Sequence, residues 1–532
     1  MLRKARHYSK DPNDESTLLR ALATVSGLTF ASRVTGLVRD MLISRIFGAS
    51  AETDAFNVAF RIPNLLRRMF AEGAFQQAFV PMLADVRSRS DDVQTGGFVG
   101  RIASALVSVL VLVSVLGVVA APVLVWLIAS GLARNPEAFE LATVMTRWMF
   151  PYILFMSLVA LAAGVLNTYR RFAVPAATPI LLNMSFIACA LWLAPLLDQP
   201  IMALAFAVVI GGGLQLAMQL AALRRLGIPI RWSSPLHALR DPDVRRVGGL
   251  MVPAVFAVSV AQISIIINTN IASHLATGSV TWLAFADRLM EFPTALLGVA
   301  LGTVLLPSLS SAFAERRADD YSHLLDWGLR LVFLLALPAA VGLGFAAEGI
   351  VAVLFQGRAF TAFDVHQTSI AVIGYSVGLV GLIAVKILAP GFYAQKDVRT
   401  PVKIAVAVLI ATQIANLALV PWLAHAGLAL SVGLGACANA LALFLGLRKR
   451  RLYQPESGWG AFIGRLALAL IVLAAVLWWL QRPLDWAAMQ GTPWLRAAWL
   501  AGVITAGACS YFVALLALGF RMRDFRVRRH PT

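Results

Sequence analysis

The stretch "DAFNVAFRIPNLLRRMFAEGAF", residues 54–75, is as apolar as a membrane-spanning helix but carries several charged side chains. These side chains are Asp54, Arg61, Arg67, Arg68 and Glu72. A charge at bilayer depth is costly and rarely faces lipid, so it marks a bundle interior or a water-filled cavity. The stretch therefore predicts a transmembrane helix of a polytopic protein, with its charged side chains facing the bundle interior or a water-filled cavity.

The composition of the whole chain supports a membrane protein. The chain has 532 residues, of which 59% are hydrophobic and 14% are charged. A soluble domain has about 25% charged residues. The 3 cysteines lie in separate apolar runs and the histidines are scattered, so neither a disulfide framework nor a metal site is predicted. No short apolar core with a cleavage site follows the polar N-terminus, so the first apolar run is expected to be a permanent helix.

Apolar windows divide the chain into membrane spans. Windows of about 20 apolar residues predict about fourteen transmembrane helices, which makes the fold class an all-α polytopic membrane protein. The predicted spans are residues 17–46, 52–82, 100–130, 138–167, 175–196, 200–224, 246–275, 279–313, 322–346, 366–393, 402–423, 426–447, 460–481 and 493–519.

The basic residues between the spans are distributed unequally. Nearly all of them fall on one side of the membrane, whereas the opposite loops hold only Arg134, Arg358 and Arg482. Basic loops stay in the cytoplasm, so both termini are predicted to be cytoplasmic. The net charge of +18 is thereby explained by topology and by contact with anionic lipid, and binding to nucleic acid is not indicated.

Two local patterns recur at nearly the same offset. "FRIPNLL" (60–66) is similar to "MEFPTALL" (290–297), and "AGVLNTYRRFAVP" (163–175) is similar to "PGFYAQKDVRTP" (390–401). A duplicated six-helix unit predicts two parallel lobes and alternating access by rocking of one lobe against the other. The predicted regions are a cytoplasmic segment 1–16, an N-lobe 17–225, a basic linker 226–245, a C-lobe 246–451, two further helices within 452–520, and a basic tail 521–532.

The deep charges gather on the first, second and eighth predicted helices, and arginine predominates. Arginine stays protonated and offers a planar fork that binds phosphate oxygens in pairs. This chemistry predicts a cavity for a phosphate-bearing anion. The candidate binding residues are Arg33, Arg39, Arg67, Arg68 and Arg288. The acids and one hydroxyl would orient the arginines or form a gate, and the candidates are Ser32, Asp54, Glu72, Asp287 and Glu291.

Other polar groups in the apolar runs allow simpler interpretations. Amides such as Asn183, Asn268 and Asn416 predict hydrogen bonds between helices. Lys386 has two open interpretations, a cation in the place of a bound sodium ion or a snorkelling side chain.

Four motifs resemble the MurJ (MviN) family of lipid II flippases. They are "SRVTGLVRDMLISRIFGAS" (32–50), "TDAFNVAFRIPNLLRRMFAEGAFQQAFVP" (53–81), "ADRLMEFPTALLGVALGTVLLPSLS" (286–310) and "YSVGLVGLIAVKILAPGFYAQKD" (375–397). The resemblance extends over nearly the whole chain. The family's functional charges match here at Arg33, Arg39, Asp54, Arg67, Arg68, Glu72 and Arg288.

The resemblance implies a bacterial inner-membrane protein of the multidrug/oligosaccharidyl-lipid/polysaccharide exporter fold, with two six-helix lobes in a V and two C-terminal helices. It implies transport of lipid II, an undecaprenyl-diphosphate disaccharide-pentapeptide, to the periplasmic leaflet for cell-wall synthesis. It also implies a lipid-lined groove at the last two helices. Some members bind sodium through acids in the second lobe, and this chain lacks such acids on its tenth and eleventh predicted helices.

Several alternatives stay open at this point. One is a flippase for another polyprenyl-diphosphate-linked glycan, and a second is a cation-coupled drug antiporter of the same fold. A membrane enzyme would need paired carboxylates or histidines in large periplasmic loops, and it is disfavoured because the loops here are short and the acids lie beside arginines. The expected partners are lipid II and membrane lipids, with wall-synthesis proteins left open. The protein is expected to be a monomer without a cofactor, and the ion that would drive transport is unknown.

Overall fold

The computed structural model describes residues 15–68 and 75–520, and these residues form helices and connections without a strand. The first helices are α1 (Glu15–Phe47), α2 (Ala51–Leu66), α3 (Phe75–Arg89), α4 (Asp92–Val119), α5 (Ala121–Ile128), α6 (Pro136–Met149), α7 (Tyr152–Thr168), α8 (Ala173–Ala188) and α9 (Met202–Leu226). The others are α10 (Pro235–Arg240), α11 (Pro242–Ser273), α12 (Ser279–Ala314), α13 (Ala318–Phe345), α14 (Ala347–Phe355), α15 (Ala362–Tyr393), α16 (Arg399–Lys449), α17 (Trp459–Gln481) and α18 (Pro493–Ala517).

The predicted all-α membrane fold is confirmed. Among the described residues, 9 helices are long and apolar enough to cross a membrane. One of them, α16, contains a break at Ala424, whose φ of 46° and ψ of −128° are not helical. This break lies between the predicted spans 402–423 and 426–447, so both spans are accounted for. The total of fourteen spans stays a prediction.

The predicted helix 52–82 departs from a regular α-helix at residues 67 and 68. The α-helix α2 ends at Leu66, residues 67 and 68 form a π-helical turn, and α3 begins at Phe75. Pro63 lies inside α2 and lacks the N–H that a regular helix needs. Residues 69–74 of the predicted span lie outside the described residues, so a single helix over 52–82 stays a prediction.

The predicted span 100–130 is also divided. The helix α4 starts earlier, at Asp92, because the Asp91 side chain accepts a hydrogen bond from Gln94 N at 2.8 Å and caps the N-terminus. It ends at Val119, and α5 follows with a proline in its first turn. A proline at that position starts a new helix more readily than it continues an old one.

The described chain separates into two compact units. The first comprises the chain up to Ile43 together with Ala55–Gln262, and the second comprises Ser44–Asp54 together with the chain from Ile263 onward. Most of the predicted segment 1–16 and all of the tail 521–532 lie outside the described residues. The predicted six-helix lobes with limits at 225 and 246 stay a prediction.

The first unit is built around a core that joins α3, α4 and α7. The rings of Phe75 and Phe79 stack at 5.0 Å between centroids, and Phe79 stacks on Phe98 of α4 at 6.0 Å. Leu161 and Val165 of α7 are buried in the same cluster. The ring stack fixes the start of α3, the first described residues after the π-helical turn.

In the second unit, α15 and α16 approach so closely that glycine is required. A Cβ added at Gly378 would lie 2.3 Å from the Cα of Gly433. Membrane helices associate through close packing and hydrogen bonds because lipid offers no hydrophobic drive for association. The small residues therefore hold these two helices together.

The last two helices are tied to the second unit at one end of α13. The carboxylate of Asp326 is buried and accepts hydrogen bonds from Tyr453 Oη at 2.7 Å, Trp459 Nε1 at 2.7 Å and Arg330 Nε at 2.7 Å. Further along, the apolar faces of α17 and α18 pack against Leu334 of α13. One buried acid thus fixes the chain between α16 and α17.

Candidate functional site

Arg39 lies on α1 in a network with α8. Its Nη2 atom is 2.7 Å from Asp40 Oδ1, and its Nη1 atom donates a hydrogen bond to Asn183 Oδ1 at 3.1 Å. The guanidinium also lies over the Phe186 ring, 5.3 Å from its centroid. The side chains of Arg39 and Asp40 are 12% and 13% exposed, so the guanidinium is held in a fixed plane with part of its edge accessible.

Asn183 connects the two helices that hold this network. Its Nδ2 atom donates hydrogen bonds to the Ser32 carbonyl at 2.9 Å and to Thr35 Oγ1 at 3.1 Å. A Cβ added at Gly36 would be 3.5 Å from the same nitrogen, so the small residue leaves room for the amide. The interhelical hydrogen bond predicted for Asn183 is confirmed, and the amide also positions Arg39, which the sequence did not reveal.

Ser32 and Arg33 have different surroundings on the same helix. Ser32 takes part through its backbone carbonyl, which accepts the bond from Asn183. Arg33 is exposed and has no hydrogen-bond or ion-pair partner within the described part of the chain. An exposed guanidinium keeps its donors available to an anion.

The arginines of α2 lie at the point where the helix changes its geometry. Arg67 donates from Nε and Nη2 to Asn64 Oδ1, at 3.1 and 2.8 Å. Asn64 is not among the predicted site residues, although its spacing of three residues from Arg67 is typical of such a pair on a helix. Arg61 and Arg68 are half-buried and both have interaction partners. Glu72 lies outside the described residues, so its orienting or gating role stays a prediction.

Asp54 caps the start of α12. Its carboxylate is 6% exposed and accepts hydrogen bonds from Gly278 N at 2.7 Å, Thr281 N at 2.8 Å and Thr281 Oγ1 at 2.6 Å. Gly278 and Thr281 stand at the start of α12, which has no side-chain cap of its own. The first N–H groups of a helix lack internal partners and carry partial positive charge, so a carboxylate there is stabilising.

The segment Ser44–Asp54 belongs to the second unit and spans the end of α1, its connection to α2 and the first turn of α2. At its start, Ser44 Oγ donates to the Phe355 carbonyl at 3.2 Å and Arg45 Nη2 donates to the Val353 carbonyl at 3.0 Å. Gly48 has a φ of +67°, and a Cβ there would be 2.2 Å from the Ala359 carbonyl oxygen. This segment is therefore held at both ends, by α14 and by α12.

The charges of α12 are more accessible. Arg288 Nη1 is 3.2 Å from Glu291 Oε2, and both side chains are 41% exposed. Asp287 is exposed beside them. An exposed ion pair contributes little to stability, so the Arg288 fork is readily transferred from a carboxylate to another oxyanion.

Within the described residues, the polar groups that could bind an ion form no acidic cluster. No group of three or more His, Cys, Asp or Glu side chains suited to a metal occurs among the described residues. Asn416 of α16 donates to Asn268 of α11 at 3.0 Å, which confirms the predicted interhelical bond of these amides. Lys386 is half-buried and has no hydrogen-bond or ion-pair partner in the described ranges.

Comparison with known proteins identifies the family. The family model described as "Lipid II flippase MurJ" matches residues 43–522. A Burkholderia cenocepacia protein named lipid II flippase MurJ is 54% identical over 512 residues, covering 96% of this chain and 99% of the relative. A Vibrio cholerae protein named probable lipid II flippase MurJ is 38% identical over 517 residues, covering 96% of this chain and 98% of the relative.

Solved structures agree at the level of the fold. A structure titled lipid II flippase MurJ, inward closed conformation, has a TM-score of 0.77 at 23% identity and covers 94% of this chain and 99% of its own. An inward-facing multidrug MATE transporter of the MOP superfamily has a TM-score of 0.65 at 15% identity, covering 80% of this chain and 97% of its own. The family model covers residues 43–522, and a relative named for this family is 54% identical. These two matches show that this chain belongs to the MurJ family of lipid II flippases.

Proposed function

We propose that this protein transports lipid II from the cytoplasmic to the periplasmic leaflet of a bacterial inner membrane. The observation that carries the proposal is the 54% identity to a lipid II flippase over 96% of the chain. The proposal makes the protein a transporter rather than an enzyme. Lipid II and the surrounding membrane lipids are its partners, and it acts as a monomer with both termini in the cytoplasm.

The diphosphate of lipid II is the part that needs charged side chains. It must cross about 30 Å of hydrocarbon, where its hydration is lost unless the protein replaces it. In the proposal, paired donors from arginine forks replace that water. The arginines assigned to this task are Arg33, Arg39, Arg67, Arg68 and Arg288. The fixed plane of Arg39 and the exposure of Arg33 and Arg288 support the assignment.

The acids would control the arginines rather than bind the substrate, because a carboxylate repels a diphosphate. Glu291 suits this role, since its exposed pair with Arg288 can be exchanged for a pair with phosphate. Asp54 suits an orienting or gating role, because it holds the start of the helix that carries Arg288. Ser32, Asp287 and Glu72 complete the proposed set.

The polyprenyl tail needs a different environment from the headgroup. We infer that it stays in lipid while the headgroup moves through lobes 17–225 and 246–451 by alternating access. The region 452–520 would guide the tail along α17 and α18, which pack on α13 through apolar side chains. The transport needs no cofactor in this proposal, and the coupling ion is left unassigned.

Growth rescue combined with lipid labelling tests the proposed cargo. In a strain depleted of its own lipid II flippase, this protein should restore growth and prevent lysis. A membrane-impermeant probe should then detect lipid II in the periplasmic leaflet, and acute inactivation of the protein should abolish that signal. Normal labelling after inactivation would contradict the proposal, and rescue of a different polyprenyl-linked glycan alone would favour another cargo.

A chain that ends at Ser457 should insert normally but fail to support growth. It keeps the Tyr453 bond to Asp326, and lipid can replace the apolar faces of α17 and α18 against α13. The polyprenyl tail of the substrate, however, would lose the surface of α17 and α18 that is proposed to guide it. Abundance in membranes, measured by blot, separates this result from misfolding. Disappearance of the truncated protein would instead assign α17 and α18 a purely structural role.

A further inference from the structure

The connection between α9 and α11 is an ordered segment of the first unit. It lies across α4 where two glycines leave space. A Cβ added at Gly96 would be 2.3 Å from the Pro229 carbonyl oxygen, and one at Gly100 would be 1.9 Å from that of Arg231. One turn further, Ser104 Oγ accepts a hydrogen bond from Ser233 N at 3.0 Å. The two glycines and Ser104 form a track that fixes this connection to α4.

The far end of the connection is fixed as well. Arg101 of α4 forms an ion pair with Asp241, with 2.8 Å between Nε and Oδ2. Asp241 Oδ1 in turn accepts hydrogen bonds from Asp243 N at 2.9 Å and Val244 N at 3.3 Å, which caps α11. Between the two fixed ends, Ala238 of α10 is completely buried. The segment therefore has a defined inner side and a defined outer side.

The outer side is unusually apolar for a connection. Trp232 is 65% exposed, Leu236 is 71% exposed and Leu239 is 40% exposed. At 100° per residue, Leu236 and Leu239 lie within about 60° of each other on α10, whereas His237 points away from them. Arg231 and Arg240 flank this apolar face and are exposed.

The position of the segment indicates what covers this face. It starts where α9 ends and reaches α4, and both helices are long and apolar enough to cross a membrane. It is therefore located at a membrane boundary, where tryptophan is enriched and where arginines meet lipid phosphates. A short helix with leucines on one side and arginines beside them is typical of a segment that lies in the interface plane.

We propose that residues 231–240 form an interfacial anchor for anionic phospholipid. Trp232, Leu236 and Leu239 enter the boundary between headgroups and acyl chains, and Arg231 and Arg240 bind the phosphates. Charge favours anionic phospholipid, because the exposed residues Arg231 and Arg240 flank the apolar face. The connection between α9 and α11 is then bound to the membrane surface, whichever lipid the protein transports.

Depth measurements on the full-length protein test the anchor. In a chain without native cysteines (C189A, C437A, C509A), an environment-sensitive fluorophore is attached at Leu236→Cys or, as the matched control, at His237→Cys. The protein is reconstituted in vesicles of phosphatidylcholine with increasing phosphatidylglycerol. Lipids brominated near the headgroup should quench the label at 236 several-fold more than the label at 237, and aqueous iodide should show the reverse order.

The charge requirement is tested separately. The double variant Arg231→Gln/Arg240→Gln should need roughly tenfold or more phosphatidylglycerol for the same quenching at 236, since each basic residue adds to the attraction of an anionic surface. Both arginines are exposed, so the fold is preserved. Equal quenching by iodide at 236 and 237 would contradict the lipid anchor and would favour a protein partner on this face. Quenching that is independent of phosphatidylglycerol would overturn its preference for anionic lipid.

Discussion

Replacement of Arg288 by alanine should abolish growth rescue in a flippase-depleted strain while the protein stays in the membrane at normal abundance. Arg288 is 41% exposed and pairs with Glu291, so its loss uncovers no buried charge. A neutral residue at depth is also cheaper than an arginine. The loss of one paired contact of about 3 kcal/mol weakens diphosphate binding roughly 100-fold.

Lysine at the same position separates charge from shape. Arg288→Lys keeps the positive charge but loses the planar fork, so we expect clearly impaired growth instead of full rescue. Arg317 provides a matched control because it makes the same kind of ion pair with an acid three residues on, Asp320, at 2.6 Å. Arg317→Ala should support normal growth at normal protein levels.

The same assay applies to the two arginines of α1, with one difference. Arg33 is exposed, so Arg33→Ala should act like Arg288→Ala. Arg39 and Asp40 form a largely buried pair, and removing one partner from such a pair is destabilising. Arg39→Ala is therefore compared with Arg39→Ala/Asp40→Asn, which restores the charge balance. Normal growth of all the arginine variants at normal abundance would exclude these side chains from headgroup binding.

The sequence predicted the helical architecture well because the bilayer imposes a length and a composition on every span. It also located the break between residues 423 and 426, where the structure has a non-helical Ala424. The amides Asn183, Asn268 and Asn416 stood out in apolar runs, and each bonds to a neighbouring helix. In these cases the signal is local, so a single sequence is sufficient.

The arrangement of the candidate site was harder to predict because it depends on distant partners. The apolar pattern predicts one helix over residues 52–82, whereas residues 67 and 68 form a π-helical turn. Asp54 accepts hydrogen bonds from groups more than two hundred positions away in sequence, the N–H of Gly278 and the N–H and hydroxyl of Thr281. Every residue except proline has a backbone N–H, so the sequence does not indicate which N–H groups a distant carboxylate will cap.

Loss of the Asp54 carboxylate should stop transport with little effect on headgroup affinity. The carboxylate accepts three hydrogen bonds at the start of α12, from two backbone N–H groups and one hydroxyl. Asp54→Ala leaves these buried donors unsatisfied, and loss of such a cap costs about 0.5–2 kcal/mol. The helix that carries Arg288 would then start in a poorly defined position, so we expect turnover to fall severely.

The chemistry of the carboxylate allows a graded series at this position. Asp54→Asn presents one oxygen to three donors and turns an N–H₂ group toward them, so it should be nearly as defective as Asp54→Ala. Thr281→Val removes only the hydroxyl donor and should be mild. Binding of a soluble diphosphate-linked headgroup analogue to the purified protein, compared with transport in proteoliposomes, separates affinity from turnover. If Asp54→Ala loses affinity as strongly as Arg288→Ala, Asp54 acts at the substrate and not as a gate. If its only defect is a lower amount of folded protein, the cap serves stability alone, and the gate must be sought among Glu291 and the other acids.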